Sequence, residues 1–97
     1  MKEFDINSLD DVIHGRIRLG IMAFLVGAET TDFSALKTHL GATDGNLSVH
    51  LRKLEEADYV KVEKSFRNRK PLTTITLTTT GRQAFVRYLD SIGKLIS

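Results

Sequence analysis

The chain has 97 residues, 41% of them apolar and 27% charged, with one proline and no cysteine. It therefore fits one domain with its own core and excludes disulfide scaffolds, thiolate metal sites, iron–sulfur clusters and cysteine nucleophiles. The net charge of +2 conceals an asymmetry, −3 over residues 1–32 and +5 over residues 33–97.

The N-terminal residues Met1-Lys2-Glu3-Phe4-Asp5 hold acids and no apolar stretch, unlike a secretion signal. The longest apolar run, Ile21 to Ala28, falls far short of the ~18 residues of a membrane span. A soluble cytoplasmic protein that does not engage a membrane is expected. Ser8-Leu9-Asp10-Asp11 then has the form of a capping box. Val12, Ile13, Ile17, Ile21, Phe24 and Leu25 follow at the three- and four-residue spacing of one helical face. The pattern predicts a helix over about 9–26, with Gly15 as a point where it can split. Gly27 and the polar run Glu29-Thr30-Thr31-Asp32 end it.

Phe33, Leu36 and Leu40 restart the helical spacing, and Gly41 supplies a left-handed stop. This predicts a second, short helix capped by Asp32 or Ser34. Thr43 is a good N-cap for a third helix over 44–57, whose apolar stripe is Leu47, Leu51 and Leu54. Two helices joined by a short glycine-containing turn make a helix-turn-helix over about 33–57. The period then changes from 3.6 to 2. Val60, Val62, Lys64 and Phe66 alternate with polar residues, as do Thr73, Ile75 and Leu77 with Leu72, Thr74 and Thr76. With the polar turn Arg67-Asn68-Arg69-Lys70-Pro71 between them, they predict a β-hairpin over 59–77. Lys61, Lys64, Arg67, Arg69 and Lys70 face one acid, Glu63, in this stretch, a candidate polyanion contact. Thr78 caps a last helix, about 79–96, through Arg82, Phe85, Leu89 and Ile92.

Helix, helix, turn, helix, basic hairpin, helix is the order of a winged helix: mainly α, a three-helix core with a two-stranded hairpin wing and a C-terminal helix. The residues Thr43-Asp44-Gly45-Asn46-Leu47-Ser48-Val49-His50-Leu51-Arg52-Lys53-Leu54-Glu55-Glu56-Ala57, followed by Asp58-Tyr59-Val60, closely resemble small MarR/ArsR-like winged-helix transcriptional regulators. The resemblance continues through Val62, Lys64, Phe66, Arg69, Pro71, Thr73-Thr74, Leu77-Thr78 and Gly81-Arg82, and upstream through Ile13-His14, Arg18-Leu19 and Ile21-Met22. It covers nearly the whole chain. Asp58 departs from it, since relatives usually carry glycine there; aspartate tolerates the left-handed conformation at some cost. The resemblance implies a homodimeric DNA-binding regulator or repressor, with residues 1–97 as one winged-helix domain.

A helical wheel sets Gly45, Asn46, Val49, Arg52, Lys53 and Glu56 opposite the leucine stripe, with Ser48 at its flank. The N-terminal half of the second helix of a helix-turn-helix enters the major groove. Asn46, Ser48, Val49 and Arg52 are therefore the candidate base readers, with Asn suited to adenine, Arg to guanine and Val to a thymine methyl. Lys53 is a further DNA contact. Gly45 permits close approach. Thr43 and the helix N-terminus suit a phosphate, Arg67, Asn68, Arg69 and Lys70 place the wing on phosphate or in the minor groove, and Pro71 stiffens the tip. Glu55 and Glu56, late on the helix, are expected outside the DNA groove.

His14, His39 and His50 come from separate elements without paired spacing, and no metal site or cofactor is expected. No motif of an enzyme is present. Ile13 and Ile17 near the N-terminus and Phe85, Tyr88, Leu89, Ile92, Leu95 and Ile96 near the C-terminus are the candidate dimer interface. Two copies with recognition helices about 34 Å apart suit a palindromic operator. A small-molecule effector, if there is one, belongs between the terminal helices and the winged core. The alternative to a regulator of double-stranded DNA is a winged helix serving as a protein-interaction module without DNA affinity. Its interface favours exposed aromatics over a polar face. RNA binding comes third, because base-stacking aromatics are few.

Overall fold

The computed structural model describes residues 5–96. Its elements are a short 3₁₀ turn at Ile6–Ser8, α1 (Arg16–Ala28), β1 (Thr30–Asp32), α2 (Phe33–Leu40), α3 (Asp44–Glu56), β2 (Val60–Arg67), β3 (Lys70–Leu77) and α4 (Thr79–Ile96). This is a winged helix: helices around one core, with a long hairpin leaving it.

The helix expected over 9–26 starts later, at Arg16, and runs to Ala28. Ser8 does not cap it; its hydroxyl donates to the Asp5 carbonyl at 2.7 Å. Asp10 instead accepts from the backbone N–H groups of Val12 (2.8 Å) and Ile13 (3.1 Å). A carboxylate that takes these donors locally competes with helix formation, and Gly15 adds its own helix penalty. The separate turn nevertheless delivers Ile13 to the core, fully buried. Arg18 fastens it there, its guanidinium donating to the carbonyls of Val12 and Asp11.

Residues 30–32, read as the polar end of a helix, form a strand. β1 pairs antiparallel with β3 through Thr30↔Thr76, Thr31↔Ile75 and Asp32↔Thr74, so the sheet has three strands in the order β1-β3-β2. Asp32 then caps α2, accepting from Ala35 N–H at 2.8 Å. Gly41 ends that helix at φ 63°, ψ 30°, the left-handed stop expected of it.

The hairpin register runs from Val60↔Leu77 to Arg67↔Lys70. The connection is therefore two residues, Asn68-Arg69, not the five residues of the sequence reading. Both have positive φ, 52° and 67°, the pattern of a type I′ turn, whose twist matches that of the strands. Pro71 lies within β3, opposite Phe66. In a two-residue hairpin the flanking pair exchanges hydrogen bonds and the next pair does not, so a proline in that second pair costs the hairpin nothing.

Asp58 adopts φ 65° in the turn after α3, as its place in a usual glycine position requires. Thr78 joins this turn to α4. Its hydroxyl lies 2.6 Å from the Asp58 carbonyl and 3.0 Å from that of Tyr59, and its oxygen accepts from Gly81 N–H at 2.9 Å. A Cβ on Gly81 would stand 2.1 Å from the Tyr59 carbonyl oxygen, so only glycine lets α4 pack this closely. The core combines Ile13 from the turn, Ile21, Met22 and Leu25 from α1, Leu36 from α2, the α3 leucines, Val60, Ile75, and Ala84, Phe85 and Tyr88 from α4.

Candidate nucleic-acid interface

Leu47, Leu51 and Leu54 bury one face of α3 at 0–4% exposure. The helix is thereby fixed with Gly45, Asn46, Ser48, Val49, Arg52, Lys53, Glu55 and Glu56 exposed. Thr43 caps it as expected, its hydroxyl accepting from Asn46 N–H at 3.2 Å. Lys37 Nζ lies 2.7 Å from an Asp44 carboxylate oxygen, tying α2 to the first turn of α3. Val49 is 52% exposed: an apolar side chain held in water on the outward face, where a thymine methyl would bury it.

His50 sits on the flank. Its Nδ1 lies 2.9 Å from Arg18 Nη1, so the arginine that fastens the N-terminal turn also fastens α3. Burial first, and then the positive charges of Arg18 and Lys53, push the His50 pKa below 6.5. His50 thus helps position α3 against the N-terminal turn. His14 Nδ1 meets the Tyr88 hydroxyl at 2.8 Å, and the His39 ring lies 4.6 Å from that of Phe24. Among the described residues no three His, Cys, Asp or Glu side chains converge to hold a metal ion.

The hairpin leaves the core after Val62 and Ile75, and Lys64, Phe66, Arg67, Asn68, Arg69, Lys70 and Pro71 are all exposed. Lys64, Arg67, Arg69, Lys70, Arg52 and Lys53 take part in none of the salt bridges among the described residues. The wing tip is therefore a concentration of uncompensated positive charge. Between α3 and the inner face of the hairpin runs a groove of about 410 Å³, lined by Ser48, Arg52, Glu55, Val62, Lys64 and Thr73, with Phe33 and Asp44. Glu55, expected from the sequence to lie outside the DNA groove, instead lines this groove, because it sits one turn after Leu51 on the flank of α3 that faces the hairpin. Glu56 lies on the opposite flank, near Arg18 and Lys53.

The sequence-derived DNA set divides between the two surfaces that flank this groove: Asn46, Ser48, Val49 and Arg52 on α3, with Lys53 turned toward Arg18 and Glu56, and Arg67 to Lys70 on the tip. Lys64, which the sequence marked only as part of a basic stretch, and Thr73 line the groove and were not among the residues assigned to DNA. The signal for them was the strand alternation, which puts both on the face of Val62 and Ile75.

The apolar residues proposed for a dimer separate by burial. Ile13, Phe85 and Tyr88 are 0%, 6% and 4% exposed inside the protomer and have little surface left for a partner; the wide face of α4 is needed by its own core. Ile17 and Ile92 are partly buried. Leu89 (50%), Leu95 (55%) and Ile96 (88%) remain exposed, joined by Val86 (54%), which sequence reasoning passed over.

Comparison with known proteins agrees with this anatomy. Residues 17–96 match the family described as winged helix DNA-binding domain. The protein MJ0432 of Methanocaldococcus jannaschii is 40% identical over 84 residues, 87% of this chain and 91% of that protein. A transcriptional regulator homologue of Pyrococcus horikoshii OT3 superposes with a TM-score of 0.82 at 35% identity, covering 88% of this chain and 84% of that one. AbfR of Staphylococcus epidermidis is similar at a TM-score of 0.70 and 25% identity, over 79% of this chain and 52% of AbfR. The chain belongs to the winged-helix DNA-binding family of transcriptional regulators.

Proposed function

We propose that this protein is a sequence-specific regulator of transcription that binds a palindromic operator as a homodimer and acts as a repressor. The observation that carries the reading is that Ser48 and Arg52 of α3's exposed polar face meet Lys64 and Thr73 of the hairpin across one groove, beyond which the wing ends in basic residues that join no salt bridge among the described residues. In this reading Asn46, Ser48, Val49 and Arg52 meet base edges in the major groove, with Lys53 beside them. Thr43 and the α3 N-terminus meet a phosphate. Arg67, Asn68, Arg69 and Lys70 bring the wing to the flanking backbone or minor groove. A monomer reads only a half-site, and the exposed Val86, Leu89 and Ile96 on one side of α4, with Leu95 near its end and the partly buried Ile17 and Ile92 of the terminal helices, supply apolar area for the second copy. Occupying a promoter in this way blocks polymerase.

Proteins of the same fold support these partners: AbfR has been determined bound to DNA and NadR in complex with 4-hydroxyphenylacetate. A small-molecule effector of this chain belongs between its terminal helices and the winged core. Among the described residues no helix is long and apolar enough to cross a membrane, in keeping with a DNA-binding role in the cytoplasm.

The test is fluorescence-anisotropy binding to a duplex taken from upstream of the protein's own coding sequence and to an unrelated duplex, at two salt concentrations. Tighter, salt-dependent binding to the upstream duplex supports self-regulation. Replacing Arg67, Arg69 and Lys70 together by alanine abolishes binding at moderate salt and lowers the log–log salt slope by up to about 2.7 for each protomer bound, at about 0.9 per phosphate contact. A wild-type protein that binds neither duplex at low salt removes the DNA role of the wing and leaves the protein-interaction reading.

A further inference from the structure

Phe66 is 76% exposed, the one exposed phenylalanine or tyrosine among the described residues. It stands opposite Pro71 across the hairpin, so two apolar side chains adjoin a tip whose other residues, Arg67 to Lys70, are polar or charged. The fold does not use this ring. The alternation that buries Val60 and half-buries Val62 continues through Lys64 to Phe66, but the core ends before it arrives. Period-2 alternation also says which way it faces: Val62, Lys64 and Thr73, on the same side of the hairpin, line the groove beside Ser48 and Arg52 of α3. Phe66 and Pro71 therefore extend the wing-side wall of that groove outward.

A large ring that the core leaves in water is available for a contact, and the surrounding charge selects the partner. Lys64, Arg67, Arg69 and Lys70 lie within four residues of Phe66, and Glu63 is the one acid between Lys61 and Lys70; the acids of the groove, Asp44 (paired with Lys37) and Glu55, belong to α3 at its inner end. The complementary partner is a polyanion with an apolar component. We infer that Phe66, backed by Pro71, packs on deoxyribose of the DNA strand seated between α3 and the wing, while the neighbouring cations hold its phosphates. The assignment rests on the DNA-binding reading above and adds to it a salt-insensitive contact. Apolar burial against sugar is not screened by ions, whereas the phosphate contacts are. Every nucleotide carries the sugar, so the contact strengthens binding without reading sequence.

Phe66→Ala and Phe66→Leu are compared with the wild type and with Arg67→Ala/Arg69→Ala on the upstream duplex and on a scrambled duplex of equal composition. Phe66→Ala weakens binding to both duplexes by the same factor, about tenfold, with the salt slope unchanged, and Phe66→Leu retains most of the affinity. The double arginine variant instead lowers the slope by about 1.8 for each protomer bound. The thermal midpoint of free Phe66→Ala matches the wild type, since the ring supports no core. Wild-type affinity for Phe66→Ala, with salt-dependent binding intact in the parent, overturns the ring contact and leaves the DNA reading standing. A loss confined to the upstream duplex overturns the sugar contact in favour of base reading, and a lowered slope in Phe66→Ala overturns it in favour of a ring that merely places cations. If the parent binds neither duplex, both readings fall together.

Discussion

The two surfaces of the candidate interface are held by different physics. α3 is positioned from below: three leucines seat it in the core, Thr43 caps its start, Lys37 grips its first turn, and Arg18 grips its flank through His50. Its exposed residues inherit their positions from buried ones. The hairpin tip has no such support. Past Val62 and Ile75 it is held by strand pairing and by the two left-handed turn residues Asn68 and Arg69. Substitutions under α3 should therefore damage stability and binding together, whereas substitutions at the tip should change binding with little effect on stability.

The contrast breaks first at the core. Leu51→Ala leaves a cavity beneath the centre of α3 and lowers unfolding free energy by about 2–5 kcal/mol, read by urea denaturation, and duplex binding falls with it. Gly81→Ala forces α4 away from the Tyr59 carbonyl and costs about 1–3 kcal/mol; unchanged stability there would show that α4 can slide without disturbing the turn that joins α3 to the wing. Thr43→Ala removes the α3 cap at a cost of about 1 kcal/mol, and Thr43→Ser retains it.

At the tip the signs separate. Arg69→Gly relieves a positive φ in a residue that prefers to avoid it, while adding freedom to the unfolded chain. The net is a gain of about 0.5 kcal/mol at most, with the salt slope lowered by about 0.9 for each protomer bound. A large loss of stability would place the tip among the supported parts of the fold.

The smallest effect is a pH dependence under α3. The folded-state pKa of His50 lies below 6.5, so between that lowered value and 6.5 the unfolded chain binds more protons. Its contribution is fully present above 6.5 and is lost as the pH falls through the folded pKa. His50→Gln should flatten this part of a stability–pH profile while leaving the rest of the curve in place.

Much of this architecture was legible in the sequence. The leucine stripe, Thr43, Gly41, Asp58 and the change of period at Val60 each act through local backbone chemistry, which adjacent residues carry. The misreadings share a cause as well. β1 is three residues long and its partner lies more than forty residues away, so no local alternation announces it. Asp10 has the composition of a helix start, yet it closes a turn that the Arg18 side chain locks from beyond it.

By itself the sequence determined the order of elements, the buried stripe of α3 and the basic composition of the wing, because helix and strand periods and turn preferences are short-range properties. Packing in three dimensions set which apolar residues of α4 are consumed by the core, where the hairpin outruns that core, and that Ser48 and Arg52 face Lys64 and Thr73 across one groove. Those are outcomes of competition for buried area and of strand register. Both depend on partners far away in the chain.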